Sequence, residues 1–314
     1  MRRLAISIFV LCGLAAPALG DTIRIIIPFT PGGALDPTAR LLASGLAKLR
    51  PGDNIVIENI GGGGGVLGLN TVAKAAPDGR TLLFSPSGAI VISPFLQTNQ
   101  PYDGPTAFEP VALIGSVKTA MIVRPGLNVK SLAELVALAK SGAKLNYASP
   151  GVGTSPHISG EMLNLAAGIK ITHVPYRGLG PAFNDMLGGH MDVITTSVIG
   201  VLPYVQAKTA LALAVFDTER SAQMPDVPTT VELGYPDLVM PQWYGLLAPT
   251  GLPRDVRDTL EAQVLAVLRS PDVAPRLAVA GMANPKGARE FKALLDVEFK
   301  KWPVLLPKLG IQPQ

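Results

Sequence analysis

Three times along this chain a strand-like apolar run ends in a turn with almost no side chains and then opens a helix. The first is IPFTPGGALDPTAR at residues 27–40, the second NIGGGGGVLG at 59–68, the third NYASPGVGTSPH at 146–157. Short strand-to-helix turns favour parallel crossovers, which restricts the chain to α/β architectures. Each turn also removes Cβ atoms where a helix begins. Unpaired N–H groups and the positive end of the helix dipole then face outward, an arrangement that suits an anion. Glycines can serve tight turns alone. Repetition of one design, twice in the first half and once in the second, favours the reading in which the backbone itself binds a ligand.

Around these turns short apolar runs alternate with helical patterns. IRIII, NIVIEN and TLLFSPS read as strands, separated by the amphipathic PTARLLASGLAKL and by VLGLNTVAKAA. PVALIGS and AMIVRPG follow. A second series then begins with Ser131-Leu132-Ala133-Glu134, a capping box opening LAELVALAK. It continues through the strands KLNYAS, KITHVPY, MDVITTS and LALAVF, with helices over ISGEMLNLAAG and GPAFNDMLGG. QWYGLLAP reads as a strand returning to the first unit, and helices are expected near 252–269 and 286–301. The result is α/β: two mostly parallel sheets flanked by helices and joined by more than one crossing. One large doubly wound sheet is the alternative.

The first twenty residues read as a secretory leader, with a basic MRR, a short apolar run, and Ala18 and Gly20 before a cut at Asp21. The one cysteine, Cys12, lies inside it, so the exported chain is expected to hold no disulfide and no Cys-based metal site. Without Arg2 and Arg3 the basic residues fall from 27 to 25 against 23 acidic ones, a net charge of +2. No Lys/Arg run resembles a nucleic-acid stripe, so no nucleic-acid partner is expected.

Gly63-x-Gly65-x-x-Gly68 matches the dinucleotide fingerprint. It follows the second strand of its unit, however, and lacks the ribose-binding acid about 20 residues on. No Gly-Lys-Ser/Thr closes the loop, and no cofactor is expected. His157, His173 and His190 form neither HExxH nor His-x-His, so no metal is expected. Asp36 before Pro37 reads as an N-cap with Pro at the first helical position, and Thr154-Ser155-Pro156 repeats the pattern with hydroxyls that could turn to a carboxylate. The enzymatic alternative is an exported α/β hydrolase using Ser149 or Ser155 with His157, although no Gly-x-Ser-x-Gly elbow occurs.

PFTPGGALDPTAR, ENIGGGGGVLG, PDGRTLLF, NYASPGVGTSPHISGEML, THVPYRG, LGGHMDV and MPDVPTTVELG occur in this order. Jointly they resemble the extracytoplasmic solute receptors of the tripartite tricarboxylate transporter family, the Bug-type receptors, over essentially the whole exported chain. The resemblance implies a two-domain Venus-flytrap fold of the type II periplasmic binding proteins that closes on a small carboxylate. It also implies a monomer that delivers this ligand to a two-component membrane permease and is not an enzyme. The implied domains are 21–118 with 243–314, and 119–242, after a signal peptide at 1–20. Flexure is expected near 116–120 and 240–244, where the chain crosses.

By position, Phe29, Thr30, Pro31, Gly32 and Gly33, with Gly63, Gly64 and Gly65, correspond to the first-domain ligand loops. Ser149, Gly153, Thr154, Ser155 and His157 correspond to the second-domain loop. Ser85, Ser87 and Thr195 stand where FSPSG and ITTSV depart from the usual family pattern, and are expected at the distal part of the ligand. Asp192 matches a family strand entry. Micromolar binding needs about 8 kcal/mol. Helix termini contribute roughly 0.3–1 kcal/mol each, and hydrogen bonds to a charged group roughly 1.5–3. Four or five neutral donors therefore suffice, and a cationic contact from Arg177 is optional.

Overall fold

The computed structural model describes residues 21–32, 35–282 and 284–313. The leader, Cys12 and Gly33 lie outside the described residues. Two sheets carry the fold. The first holds β1 (Thr22–Ile27), β2 (Asn54–Asn59), β3 (Thr81–Pro86), β4 (Phe108–Val117), β10 (Gln242–Pro249) and β11 (Lys286–Gly287), in the order β11-β4-β10-β3-β1-β2. The second holds β5 (Thr119–Val123), β6 (Asn146–Ser149), β7 (Thr172–Pro175), β8 (Val193–Ser197) and β9 (Leu211–Val215), in the order β7-β6-β8-β5-β9.

Both sheets are mixed, which corrects the mostly parallel expectation. β10 runs antiparallel between β3 and β4, and β5 runs antiparallel between β8 and β9. The reason is the route of the chain. β4 leaves the first sheet and, after Lys118 alone, becomes β5 of the second, which it enters from the opposite direction. The chain returns later, when β10 follows β9 after residues 216–241 and lies in the first sheet. β11 also runs antiparallel to β4, whereas β1 pairs with β2 and β3, and β6 with β7 and β8, in parallel.

Burial follows from side-chain type. The strands TIRIII and TLLFSP are rich in residues that pack on a pleated surface and are almost wholly buried. Helices α1 (Leu35–Leu49), α2 (Val66–Ala73), α3 (Ser87–Val91), α8 (Arg254–Leu268), α9 (Ala274–Val279) and α10 (Ala288–Lys308) belong to the first unit; α4 (Leu132–Lys140), α5 (Ser155–Ala167), α6 (Leu179–Leu187) and α7 (Val198–Gln206) belong to the second. The larger apolar cluster runs from the first sheet through the crossing strands to the α4 and α5 side of the second. The other face of the second sheet packs separately with α6 and α7. No helix among the described residues is long and apolar enough to cross a membrane.

Local signals explain several boundaries. The Glu134 N–H donates to Ser131 Oγ at 3.2 Å, and Glu134 Oε2 accepts from the Lys130 N–H at 2.7 Å, so the capping box reaches one residue further back than its usual form. Asp36 is not an N-cap: α1 starts one residue earlier, and Asp36 sits buried in its first turn. Its Oδ1 accepts from Asn59 Nδ2 at 3.0 Å, the amide that also donates to the Phe29 carbonyl at 3.0 Å. Asp192 anchors the far end of the second sheet. It pairs with Arg124 at 2.8 Å and accepts the Asn146 N–H at 3.0 Å, while Asn146 Oδ1 accepts the Asp192 N–H at 2.8 Å.

Candidate ligand site between the two sheets

The carboxyl ends of the parallel strands of both sheets face one another, and a cavity of about 50 Å³ lies between them. This is where open α/β sheets place ligands. From the first unit come Ile27 and the turn after β1 (Phe29 and Thr30), Leu35 and Asp36 of α1, and Pro86, Gly88 and Ala89 around the start of α3. From the second come Pro150, then Thr154, Ser155 and Pro156 at the start of α5, Leu179 of α6 and Thr196 of β8. Gln242 and Tyr244 complete it from β10. A benzene-sized guest occupies an apolar cavity of roughly 150 Å³. A ligand of that size therefore enters only if the walls part.

The glycines are mainly what lets the two units meet. Gly64 has a left-handed backbone, φ 65°, and a Cβ on it would overlap the Val152 carbonyl oxygen of the second unit. A Cβ on Gly88 would overlap the Ser155 backbone nitrogen, and one on Gly178 would overlap Thr30 Oγ1. Thr30 N–H also donates to the Arg177 carbonyl at 3.4 Å. Bare backbone thus faces bare backbone on both rims of the cavity. The Tyr244 hydroxyl bonds Ser197 Oγ across the cleft at 3.0 Å, and burial raises its pKa to about 12, so it stays a neutral donor.

Of the residues expected at the site, Phe29, Thr30, Thr154 and Ser155 line the cavity. Pro31 and Gly32 are exposed on the rim. Gly63, Gly64 and Gly65 form a short turn against the second unit rather than a wall. Ser85 is buried with its hydroxyl on the Pro86 carbonyl at 3.2 Å, and Ser87 is buried at the start of α3. Arg177 is exposed and meets the first unit through its carbonyl. Thr195 faces away from the cavity with its hydroxyl buried and unpaired, and Thr196 takes the lining position. Thr154 stands at the N-cap of α5, yet its hydroxyl donates to the Gly151 carbonyl at 2.7 Å instead of capping the helix.

Behind the second-unit loop lies a buried polar network. Ser149 Oγ accepts the Gly151 N–H at 3.0 Å and stands 2.7 Å from His173 Nε2. His157 Nδ1 accepts the Gly153 N–H at 3.3 Å, which leaves its proton on Nε2 in the neutral ring. The two imidazoles lie 4.3 Å apart, and Tyr147 stacks on His173 at 5.0 Å. Burial lowers the pKa of both histidines to about 4. The network holds residues 149–154 in shape. It also removes the expected hydrolytic pair: Ser149 is fully buried and contacts His173, not His157, while Ser155 has no imidazole partner among the described contacts. No group of His, Cys, Asp or Glu among the described residues is arranged to hold a metal ion.

The sequence left Gln242 and Tyr244 unassigned, and in the ITTSV stretch it singled out Thr195 rather than its neighbour Thr196. The signal was in strand alternation: Gln242 and Tyr244 share one face of β10, and Thr196 opposes Thr195 on β8.

Two mixed sheets joined by two crossing strands, with a small cavity at their facing ends, define a periplasmic binding-protein architecture. The structure described as periplasmic binding protein BugD superposes with a TM-score of 0.88 at 30% identity, covering 94% of this chain and 99% of that one. MatC from Rhodopseudomonas palustris with bound malate gives 0.85 at 30% identity, covering 93% and 100%. Protein BugT of Bordetella pertussis is 34% identical over 317 residues, 97% of this chain and 96% of that protein. Residues 38–311 match the family model described as tripartite tricarboxylate transporter family receptor, and the chain belongs to that family.

Proposed function

We propose that this protein is an exported receptor that captures a small carboxylate between its two units and delivers it to the membrane permease of a tripartite tricarboxylate transporter. The observation that carries this reading is the cavity at the facing strand ends, lined by neutral hydroxyl and amide donors from both units. Malate bound to MatC supports a carboxylate as the ligand. The two units act as domains, residues 21–118 with 243–314 and residues 119–242. They flex where the crossings lie side by side: Thr119 Oγ1 donates to the Met240 carbonyl at 2.7 Å and accepts from Gln242 Nε2 at 2.9 Å. Gln242 also lines the cavity, so the ligand and the hinge share a residue. The leader at residues 1–20 directs export to the periplasm, and the receptor works there as a monomer without turnover.

Calorimetric titration of the exported chain with organic acids tests the reading. One equivalent of acid bound per chain and recovered unchanged supports it. Steady conversion of the acid to a product would replace it with an enzymatic one.

A further inference from the structure

The strand order puts cavity, crossing and a further contact in one row across both sheets. In the first sheet the cavity is lined from β1, β3 and β10, and the crossing strands are β10 and β4. Beyond β4 come β11 and the residues leading into it. In the second sheet the cavity is lined from β8, and the crossing strands are β5 and β9. Beyond β9 runs the segment 217–230, where Thr229 bridges Val215 on the side away from β5. The two outer segments touch. Gln223 Nε2 donates at 3.0 Å to the carbonyl of Val279, the last residue of α9. Gly281, with φ 75°, passes so close that a Cβ on it would overlap Gln223 Nε2. The hydroxyl of Ser221, a fully buried residue, donates to Gln223 Oε1 at 2.6 Å and accepts the Gln223 N–H at 3.2 Å, which aims the amide nitrogen at the first unit.

A rotation about the crossing that parts the cavity walls drives these outer segments together, because they lie on the opposite side of the pivot. The space between them is already filled by the Gln223 side chain. Opening must displace it, so its bond to Val279 belongs to the closed form, in which the cavity rims meet. Apparent affinity scales with the fraction of protein in the binding-competent form, so a residue that biases the hinge alters binding without touching the ligand. Resting on the receptor reading above, we propose that Gln223 is a spacer behind the hinge. It limits how far the cleft opens and holds the closed form through Val279, a positioning residue for a ligand it never meets.

The chain from Asp21 holds no cysteine, so two can be introduced to carry spin labels. Leu67→Cys on α2 and Leu187→Cys on α6 replace exposed leucines. α2 packs on β1 and β3, and α6 on β6 and β8, so both report from the cavity side of the pivot. In this background Gln223→Ala shortens the spacer and removes its bond, and Gln223→Trp enlarges the spacer. Without ligand, the label distance is expected to be longer than the parent's in the alanine variant and shorter in the tryptophan variant. Calorimetric affinity is read for malate or adipate, whichever the parent binds more tightly. It is expected to fall roughly two- to tenfold with alanine, the range of one net hydrogen bond, and to rise with tryptophan. Values unchanged in both variants, or moved in the same direction in both, overturn the inference and leave the receptor reading standing. The alanine variant decides alone if tryptophan lowers the melting temperature. A parent that binds neither acid counts against the receptor reading, and the ligand-free distances then decide the inference.

Discussion

Gly88 of α3 and Ser155 of α5 meet across the cleft so closely that a methyl group on Gly88 would overlap the Ser155 backbone nitrogen. Gly88 lies in a short helix with ordinary backbone angles, so its lack of a side chain serves the contact between units.

Gly88→Ala is therefore expected to separate folding from closure. Alanine is a better helix former than glycine by roughly 0.8–1 kcal/mol, so thermal stability without ligand should hold or rise. Ligand affinity should fall more than tenfold, about 1.4 kcal/mol. Calorimetry with unchanged affinity would show that this contact is not part of the bound state.

The Tyr244–Ser197 bond makes a milder, polar version of the same contact. Tyr244→Phe removes one hydrogen bond with a net value of roughly 0.5–1.5 kcal/mol. Affinity should drop about two- to tenfold while the melting temperature changes little. An unchanged affinity would assign this hydroxyl to the fold alone.

The two threonines of β8 should behave oppositely. Thr196→Val takes a hydroxyl from the cavity wall and should weaken binding severalfold. Thr195→Val replaces a buried hydroxyl with no partner, so binding should be unchanged and stability should be neutral or higher by about 1 kcal/mol. Weakened binding in the Thr195 variant would move the wall to the other face of β8.

Much of this architecture was legible because periodicity reports burial. The strand runs, the Ser131 capping box and the return of QWYGLLAP to the first sheet all appear where local pattern and fold agree. The antiparallel placement of β5 and β10 was not legible, because it follows from the route of the chain between sheets. The role of the glycines was half legible. Their clustering marked the cleft, but only the partner unit reveals that Gly64 and Gly88 are small to admit Val152 and Ser155. Asp36 misled because Asp-Pro is a strong N-cap pattern, whereas here the tie to Asn59 fixes the carboxylate within the first turn.

The paired imidazoles carry a pH signature. His157 and His173 have pKa values lowered by burial to about 4, against an unfolded value near 6.5. The unfolded chain binds more protons between these values, so stability is fully present above about pH 6.5 and is lost as the pH falls toward 4. His173→Gln can keep a hydrogen bond to Ser149 and removes one of the two titrating rings. Its melting temperature should fall less than that of the parent between pH 7 and pH 4.5. Parallel curves would mean that the rings do not govern acid sensitivity.

The most direct test of the two-unit receptor is small-angle scattering during titration with the tightest-binding acid. The radius of gyration should decrease as ligand is added and level off at one equivalent per chain, and the Gly88→Ala variant should contract less. A radius that stays constant through a titration that calorimetry shows to be saturating would contradict capture by closure of the two units.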